Sequence, residues 1–419
     1  MAFSKLFRLF TLLCLALTLG CAKRSPTEVQ QSAKKTKVLA FVSAPVTDMI
    51  HTPPERKQLP YSENRYMKLP CSGSWERLHQ LVFNHPVYIL KEFGHEAFIE
   101  APGLIAMSKG KPVPLRGWVL KKHLTPMSAI YKRRFNEASF PDPIGIGIKK
   151  GSGPELALIA PYKIPEAGIT LSAGTHFVIE KETQSAFQTS IWDNKKQTFH
   201  TLSIPKKIAL AKLELTKEAA IDRFVKLIRF WSTQKEGFIP YVLGGCSWLR
   251  NYEKLTFNRV KGPDRKVTFE RAEKEGGQHS GYDCSSIVYT AAQIAGIPYG
   301  CKNTRSIHYF LKPMRKNERI EKGDLILIPG HVVVISSVRP LRIAQARGYA
   351  SGFGRVCESN ARDLFQGVRT VEDLQTLYSR AQPLPWIVKG NRTSPYKTWG
   401  IFKIRSAWQA FEGRSKSHN

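Results

Sequence analysis

The chain has 419 residues, of which 42% are hydrophobic, 11% aromatic and 23% charged; at about 150 residues per domain this makes two to four domains, each able to bury a core. A disulfide-stapled miniature, a disordered chain and a polytopic membrane protein are excluded, since no stretch beyond the N-terminus is apolar enough to span a bilayer. Lys and Arg number 64 against 33 Asp and Glu, a net charge of +31, which favours partners rich in phosphate or carboxylate. No zinc-finger spacing, Walker loop or RNP-like run accompanies that charge, so no nucleic-acid partner is expected; an anionic polymer or a lipid surface fits it at least as well.

Residues 1–20 read as a signal peptide: Lys5 and Arg8 form a basic start, Leu9 to Leu19 an apolar stretch, and Gly20 precedes Cys21. Thr18-Leu19-Gly20-Cys21 resembles a bacterial lipobox, which makes Cys21 the lipidation candidate; ordinary signal cleavage and an uncleaved anchor are the alternatives. Lipidation would hang the mature chain from a membrane by acyl chains rather than by a helix, with the polar, basic residues 21–36 as a tether. Cys14 leaves with the signal, and Cys71, Cys246, Cys284, Cys301 and Cys357 remain in the body. Five is odd, which flags one free thiol and leaves four cysteines able to form two disulfides of unassigned pairing.

From 37 to 130 the chain carries short β-type runs (VLAFV, PVYIL, EAFIEA, RGWVL) split by Pro- and Gly-bearing turns, and reads as a small β-barrel with Trp118 packed in its core. A second β module follows over 131–213, with IGIGI, ELALIA, THFVIEKE, FQTSIW and FHTLSI. The period then changes. LTKEAAIDRFVKLIRFWSTQ places Ala219, Phe224, Leu227, Ile228 and Trp231 on one helical face behind an N-cap at Thr216, and opens a C-terminal domain over 214–410, followed by a basic tail at 411–419.

That domain holds the chemistry. Ile239-Pro240-Tyr241-Val242-Leu243-Gly244-Gly245 is an apolar turn whose glycines let backbones approach closely. Gly281-Tyr282-Asp283-Cys284-Ser285-Ser286 leads into an apolar helix ending at Gly296, which sets Cys284 at a helix N-terminus and predicts a thiol tuned toward thiolate. Gly323-Asp324-Leu325 to Ile335 reads as two buried strands with His331 opening the second; an antiparallel strand from Leu341 would carry Gln345 alongside that imidazole as the orienting third group.

These motifs, in this order, resemble the NlpC/P60 family of bacterial cell-wall cysteine peptidases over about residues 215–410. DCSS stands where the family has Asp-Cys-Ser-Gly or Asp-Cys-Ser-Ser, PYVLGG where it has Pro-Tyr-x-Trp-Gly-Gly, and GDLILIPGHVVVI where it has Gly-Asp-Leu and then His-Val. The two β modules look like the SH3-like modules preceding this domain in proteins resembling γ-D-glutamyl-L-diamino acid endopeptidases. The resemblance implies an α+β, papain-like catalytic domain behind two SH3-like β-barrels. It implies Cys284 as nucleophile, His331 as base and Gln345 as orienting residue, where the family more often has His. It also implies substrate contacts from Tyr241, Asp283, Ser285 and Asn303. Lys302-Asn303-Thr304 replaces the Arg-Asp-Ser or Arg-Asp-Ala that meets a free substrate amine in recycling members, so a requirement for free N-terminal L-Ala does not carry over. The implied activity is cleavage of the γ-D-glutamyl bond to a diamino acid in peptidoglycan stem peptides, by an exported, membrane-anchored envelope lipoprotein that needs no cofactor; no HExxH spacing points to a metal. A catalytically silent murein-binding lipoprotein and a Cys-His amidase or acyltransferase on a related core are the alternatives, and the segment 246–280 has no assignment.

Overall fold

The computed structural model describes residues 37–51, 77–128, 155–211, 215–253, 280–349 and 353–410, apart from a few positions at 166–167, 194–195, 197, 389–390 and 393–394, together with two strands inside 254–279. The segments read as signal peptide and tether with Cys21, together with Cys71, the run IGIGI and the basic tail, lie outside the described residues.

Alternating apolar runs in the first module pair as seven strands, β1 (Val38–Val42), β2 (Val46–Ile50), β3 (Arg77–Val82), β4 (Pro86–Phe93), β5 (Glu96–Ser108), β6 (Lys111–Leu120) and β7 (Leu124–Pro126). They form one antiparallel sheet in the order β3-β2-β6-β5-β4-β1-β7. Trp118 is buried, as its sequence setting suggests, against Phe98 at 5.2 Å between ring centroids. The second module holds β8 (Glu155–Leu158), β9 (Tyr162–Ile164), β10 (Ile169–Leu171), β11 (His176–Val178), β12 (Lys181–Glu182), β13 (Ala186–Asp193), β14 (Thr198–Pro205) and β15 (Ala209–Ala211). These make small antiparallel sheets around a separate core of Leu156, Leu158, Phe177, Ile191 and Ile204.

In the C-terminal region, helix α1 (Lys217–Ser232) starts at Thr216, whose side chain accepts from the Ala219 amide at 3.2 Å. Phe224, Leu227, Ile228 and Trp231 are buried as the period predicts, but the face includes Ala220 and Ile221 instead of Ala219, which is exposed beside the cap. Next come β16 (Cys246–Ser247), a hairpin of β17 (Phe257–Lys261) and β18 (Val267–Arg271), and β19 (Gly281–Tyr282), which pairs back on β16. The unassigned segment is thus bracketed by a two-stranded clasp and contains a hairpin. Helix α2 (Cys284–Ala295) ends at Gly296 with φ +81°, the left-handed cap expected of glycine there. After the short α3 (Ile307–Phe310) come β20 (Lys312–Pro313), β21 (Leu325–Ile328), β22 (His331–Val338), β23 (Leu341–Arg347), β24 (Arg355–Asn360), helix α4 (Val371–Ser379), β25 (Ile387–Val388), β26 (Asn391–Arg392) and β27 (Gly400–Lys403).

The main sheet of this region is antiparallel, in the order β20-β27-β21-β22-β23-β24. Its near-continuous apolar strands follow from burial on both faces. Leu325, Leu327, Val332, Val334, Ala344 and Ala346 pack with the α1 and α2 side chains, while Ile326, Ile328, Val333, Ile335, Leu341 and Ile343 pack with Phe365, Leu374 and Trp386. The helix-side core does not stop at the domain boundary suggested by the sequence: it takes in Ala40, Met49, Leu81 and Ile99 of the first module. Polar contacts cross the same joint. Arg77 forms a buried ion pair with Asp48 at 2.8 Å and donates to the Leu243 carbonyl at 3.2 Å, and Gln80 accepts from the Cys246 amide and the Ser247 hydroxyl. A Cβ at Gly244 would sit 2.6 Å from the Arg77 carbonyl oxygen, and one at Gly245 2.5 Å from that of Gly281, so the paired glycines let three backbone segments meet.

Among the described residues no helix is long and apolar enough to cross a membrane, and no cluster of three or more His, Cys, Asp or Glu side chains could hold a metal.

Candidate active site

Cys284 is the first residue of α2, and Asp283 before it is the N-cap. The Asp283 carboxylate accepts from the amides of Ser285 (3.0 Å) and Ser286 (2.7 Å), from the Ser285 hydroxyl (2.9 Å), and from the Gly244 amide (3.0 Å). One side chain therefore starts the helix that Cys284 opens and ties it to the Gly-Gly turn, which is why an acid precedes the cysteine. Ser286 completes a capping box by accepting from the Asp283 amide at 2.9 Å. Ser285 shares its hydroxyl proton with the Lys302 carbonyl at 3.2 Å.

The backbone amides of Val332 on β22, of Ser285 and of Cys284 itself lie close enough to the sulfur to favour its thiolate. Val332 directly follows His331, so the sulfur and the imidazole reach the same end of β22. On the far side of that strand end, His331 Nε2 lies 2.9 Å from Gln345 Oε1, as the antiparallel pairing of β22 with β23 anticipates. Because an amide oxygen only accepts, the ring carries its proton on Nε2, and Nδ1 keeps the lone pair. The His331 ring also meets Trp386 edge-on, at 5.8 Å and 77°. Among the described residues no hydrogen bond joins Cys284 to His331. The sulfur belongs to the helix-side core, whereas the His331 ring meets Trp386 of the opposite core.

The electrostatics correct one expectation. The thiol of Cys284 is pushed up to about 12, first by burial and then by the Asp283 carboxylate, and the three amides only partly offset this. Burial likewise holds His331 down to about 4, with the Arg347 charge adding to the effect while the Gln345 hydrogen bond and the Asp283 charge oppose it. The resting pair is a neutral thiol and a neutral imidazole, not a thiolate and an imidazolium. A helix N-terminus contributes about 0.3–1 kcal/mol at an exposed end, less than the desolvation of a buried anion.

The other expected residues divide. Tyr241 is beside the nucleophile: the charges of Cys284 and Asp283 reinforce burial in raising its phenol well above the ordinary value, and the Tyr349 hydroxyl donates to its carbonyl at 2.7 Å. Asp283 and Ser285 are at the site but act as structural ties, both buried with their oxygens engaged. Asn303 is not a free ligand either. Its Oδ1 caps the turn Thr304–Ser306, accepting from the amides of Arg305 (3.0 Å) and Ser306 (3.3 Å). Cys246, Cys284, Cys301 and Cys357 are all free and buried, so none of these four forms the disulfides the cysteine count allowed.

Sequence reasoning missed the wall behind His331. Arg347, two residues past Gln345, is buried with its guanidinium 4.7 Å over the Trp386 ring and 4.5 Å over Phe353. The Val332 amide was also missed; its one signal was its place after His331.

No profile of a known protein family matches the chain, and no curated protein matches it. Among solved structures, the chain is similar to the crystal structure of an NlpC/P60 family protein from Bacillus cereus ATCC 10987, with 14% identity and a TM-score of 0.49, covering 77% of this chain and 94% of that one.

Proposed function

We propose that this protein is a peptidoglycan hydrolase, a cysteine peptidase that cleaves the γ-D-glutamyl bond to a diamino acid, meso-diaminopimelate, in stem peptides. The observation that carries the reading is the convergence at the start of β22, where the Val332 amide lies near Cys284 at its helix start and the adjoining His331 is tied at Nε2 to Gln345. With both groups neutral at rest, catalysis starts with a proton transfer. His331 Nδ1 accepts the thiol proton as the sulfur attacks the scissile carbonyl, the tetrahedral oxyanion collapses to a thioester, and the imidazolium passes the proton to the leaving amine. Water, deprotonated by the same ring, then releases the acyl product. The Asp283 charge favours the transient imidazolium, a part the uncharged Gln345 cannot play. The Cys284 amide, at the helix start beside Tyr241, is the donor this reading assigns to the developing oxyanion, since the Ser285 amide is held by Asp283. On this reading the SH3-like modules wall the cleft, Cys21 carries the lipid anchor, and the chain works in the cell envelope.

The test is incubation of the purified protein with L-Ala-γ-D-Glu-diaminopimelate peptide and mass spectrometry of the products. The expected products are L-Ala-D-Glu and free diaminopimelate; cleavage elsewhere, or none, overturns the reading.

A further inference from the structure

We propose that Arg347 is a positioning residue for His331, acting through Trp386; the inference rests on the reading of His331 as the general base. Gln345 and Arg347 are two residues apart on β23 and so share one face of the sheet. From that face Gln345 fixes Nε2 in the plane of the imidazole, 2.9 Å away, while Trp386 meets the same ring edge-on. Arg347 holds Trp386. Its guanidinium lies against one face of the indole, Phe353 lies against the guanidinium, and its Nη2 donates to the carbonyl of Ile387, the next residue after Trp386, at 2.9 Å. Phe365 and Tyr396 close on the indole at 5.3 and 6.3 Å.

The guanidinium is an unusual occupant for a structural role. Arg347 as a whole is only 3% exposed, no carboxylate among the described residues pairs with its guanidinium, and Nη1 is buried without a hydrogen-bond partner. Burying an arginine this way costs free energy, which the two ring faces and one carbonyl offset only in part. A methionine would fill the same space more cheaply, so the cation is retained for what it does to its neighbours. It clamps the wall that stops the imidazole from rotating, and it sets a positive charge near the base. The charged groups facing His331 are Arg347 from β23 and Asp283 from the start of α2, with opposite effects on the imidazolium. One strand thus supplies both constraints on the ring, by hydrogen bond and by packed wall.

Steady-state hydrolysis of the stem peptide over a pH series, corrected for active sites by thioester trapping, tests this with Arg347→Met, Arg347→Lys and Trp386→Phe. Arg347→Met should lower kcat about tenfold, at the lower end of the range for lost ring orientation, with KM within about twofold. The acid limb of its kcat profile should move to higher pH, because the imidazolium loses a repelling neighbour. Arg347→Lys keeps the charge but not the planar stack, so its acid limb should stay put while kcat falls; Trp386→Phe should lower kcat less than Arg347→Met. A residue that merely fills space would lower the melting temperature and the active fraction but leave the limb and the per-site kcat unchanged, and that outcome overturns the proposal. Should Arg347→Met fail to fold, Arg347→Lys decides alone, wild-type kcat counting against. If His331→Ala retains turnover, the general-base reading is what has failed; if His331→Ala is inactive while both Arg347 variants match wild type, that reading stands and this proposal falls.

Discussion

Two buried cysteines in this protein have the same resting acidity and different surroundings. Cys284 and Cys246 are both pushed up to about 12, chiefly by burial, with the Asp283 charge adding to each. Cys246 sits at the joint between the first module and α2, where among the described residues its sulfur's one hydrogen-bond contact is the Thr290 hydroxyl, at 3.1 Å. Cys284 opens a helix, with three backbone amides acting to lower its thiol pKa, and His331 stands next to one of them, Val332, on the strand. On the proposed function, what would separate nucleophile from filler here is a nearby histidine and a helix start, not a depressed thiol. A protein built this way shows little thiol reactivity until a substrate brings its carbonyl to the sulfur.

The most drastic way to break the comparison is deletion of each thiol. Cys284→Ala should abolish stem-peptide hydrolysis with the fold intact, whereas Cys246→Ala should retain most of it and lose about 1–2 kcal/mol of stability, the scale of a small buried group. Circular dichroism melts beside product assays separate the two outcomes; an inactive but well-folded Cys246→Ala would erase the distinction.

A second test sharpens what the sites share. With a thiol near 12, the thiolate fraction at pH 7.5 is roughly a thousandfold below that of an unperturbed cysteine. Iodoacetamide should therefore leave both residues unmodified over the time in which it labels free cysteine, as read by peptide mass spectrometry. A stem peptide bearing an electrophilic carbonyl at the scissile position should modify Cys284 alone. Rapid alkylation of Cys284 at neutral pH would restore the thiolate expected from sequence and remove the need for a concerted proton transfer.

A smaller effect is expected at Gln345. Its Ala variant should lose about ten- to a hundredfold in kcat, the range for loss of a group that orients a histidine, while Gln345→His should remain active because a ring nitrogen can accept from Nε2 as the amide oxygen does. Wild-type turnover of Gln345→Ala would withdraw it from the site.

How much of this was legible in the sequence depends on the range of the interaction. The Asp-Cys start of α2, the glycine at its end, His331 at the head of β22 and Gln345 on the next strand all lie within single elements or adjacent strands, where period and capping chemistry speak directly. The acidity of Cys284 and His331 could not be read, because the burial that sets it comes from segments as distant as β3 and α1. Trp386 and Arg347 are 39 positions apart, and neither lies in a motif, so their stack is visible only in the fold. Asn303 was ambiguous for a local reason: an Asn three residues before a serine suits a ligand and a capping box equally well, and the structure uses its Oδ1 as a cap. The odd cysteine count likewise says nothing of distance, and the described thiols stay apart.

The last prediction carries the comparison from the thiols to the histidines beside them. His331 belongs to the candidate site, and His85 borders a cavity of about 50 Å³ that Cys246 also lines; burial holds each of them down to about 4. Their folded-state values lie below the unfolded value near 6.5, so from pH 6.5 down to about 4 the unfolded chain binds a proton that the folded chain refuses. Stability contributed by the neutral rings is therefore fully present above pH 6.5 and is lost as the pH falls through that window, by up to about 1.4 kcal/mol per pH unit for each histidine. Chemical denaturation at pH 7, 6, 5 and 4.5 should show the decline. Replacing His85 by Gln should flatten the slope by about one proton and leave the pH dependence of kcat unchanged, because His85 touches the joint and not the reacting groups. Replacing His331 by Gln should flatten the stability slope by a similar amount but abolish turnover. If the two substitutions left the acid slope as steep as in wild type, neither ring would be the buried neutral base described, and proton transfer from Cys284 would need another acceptor.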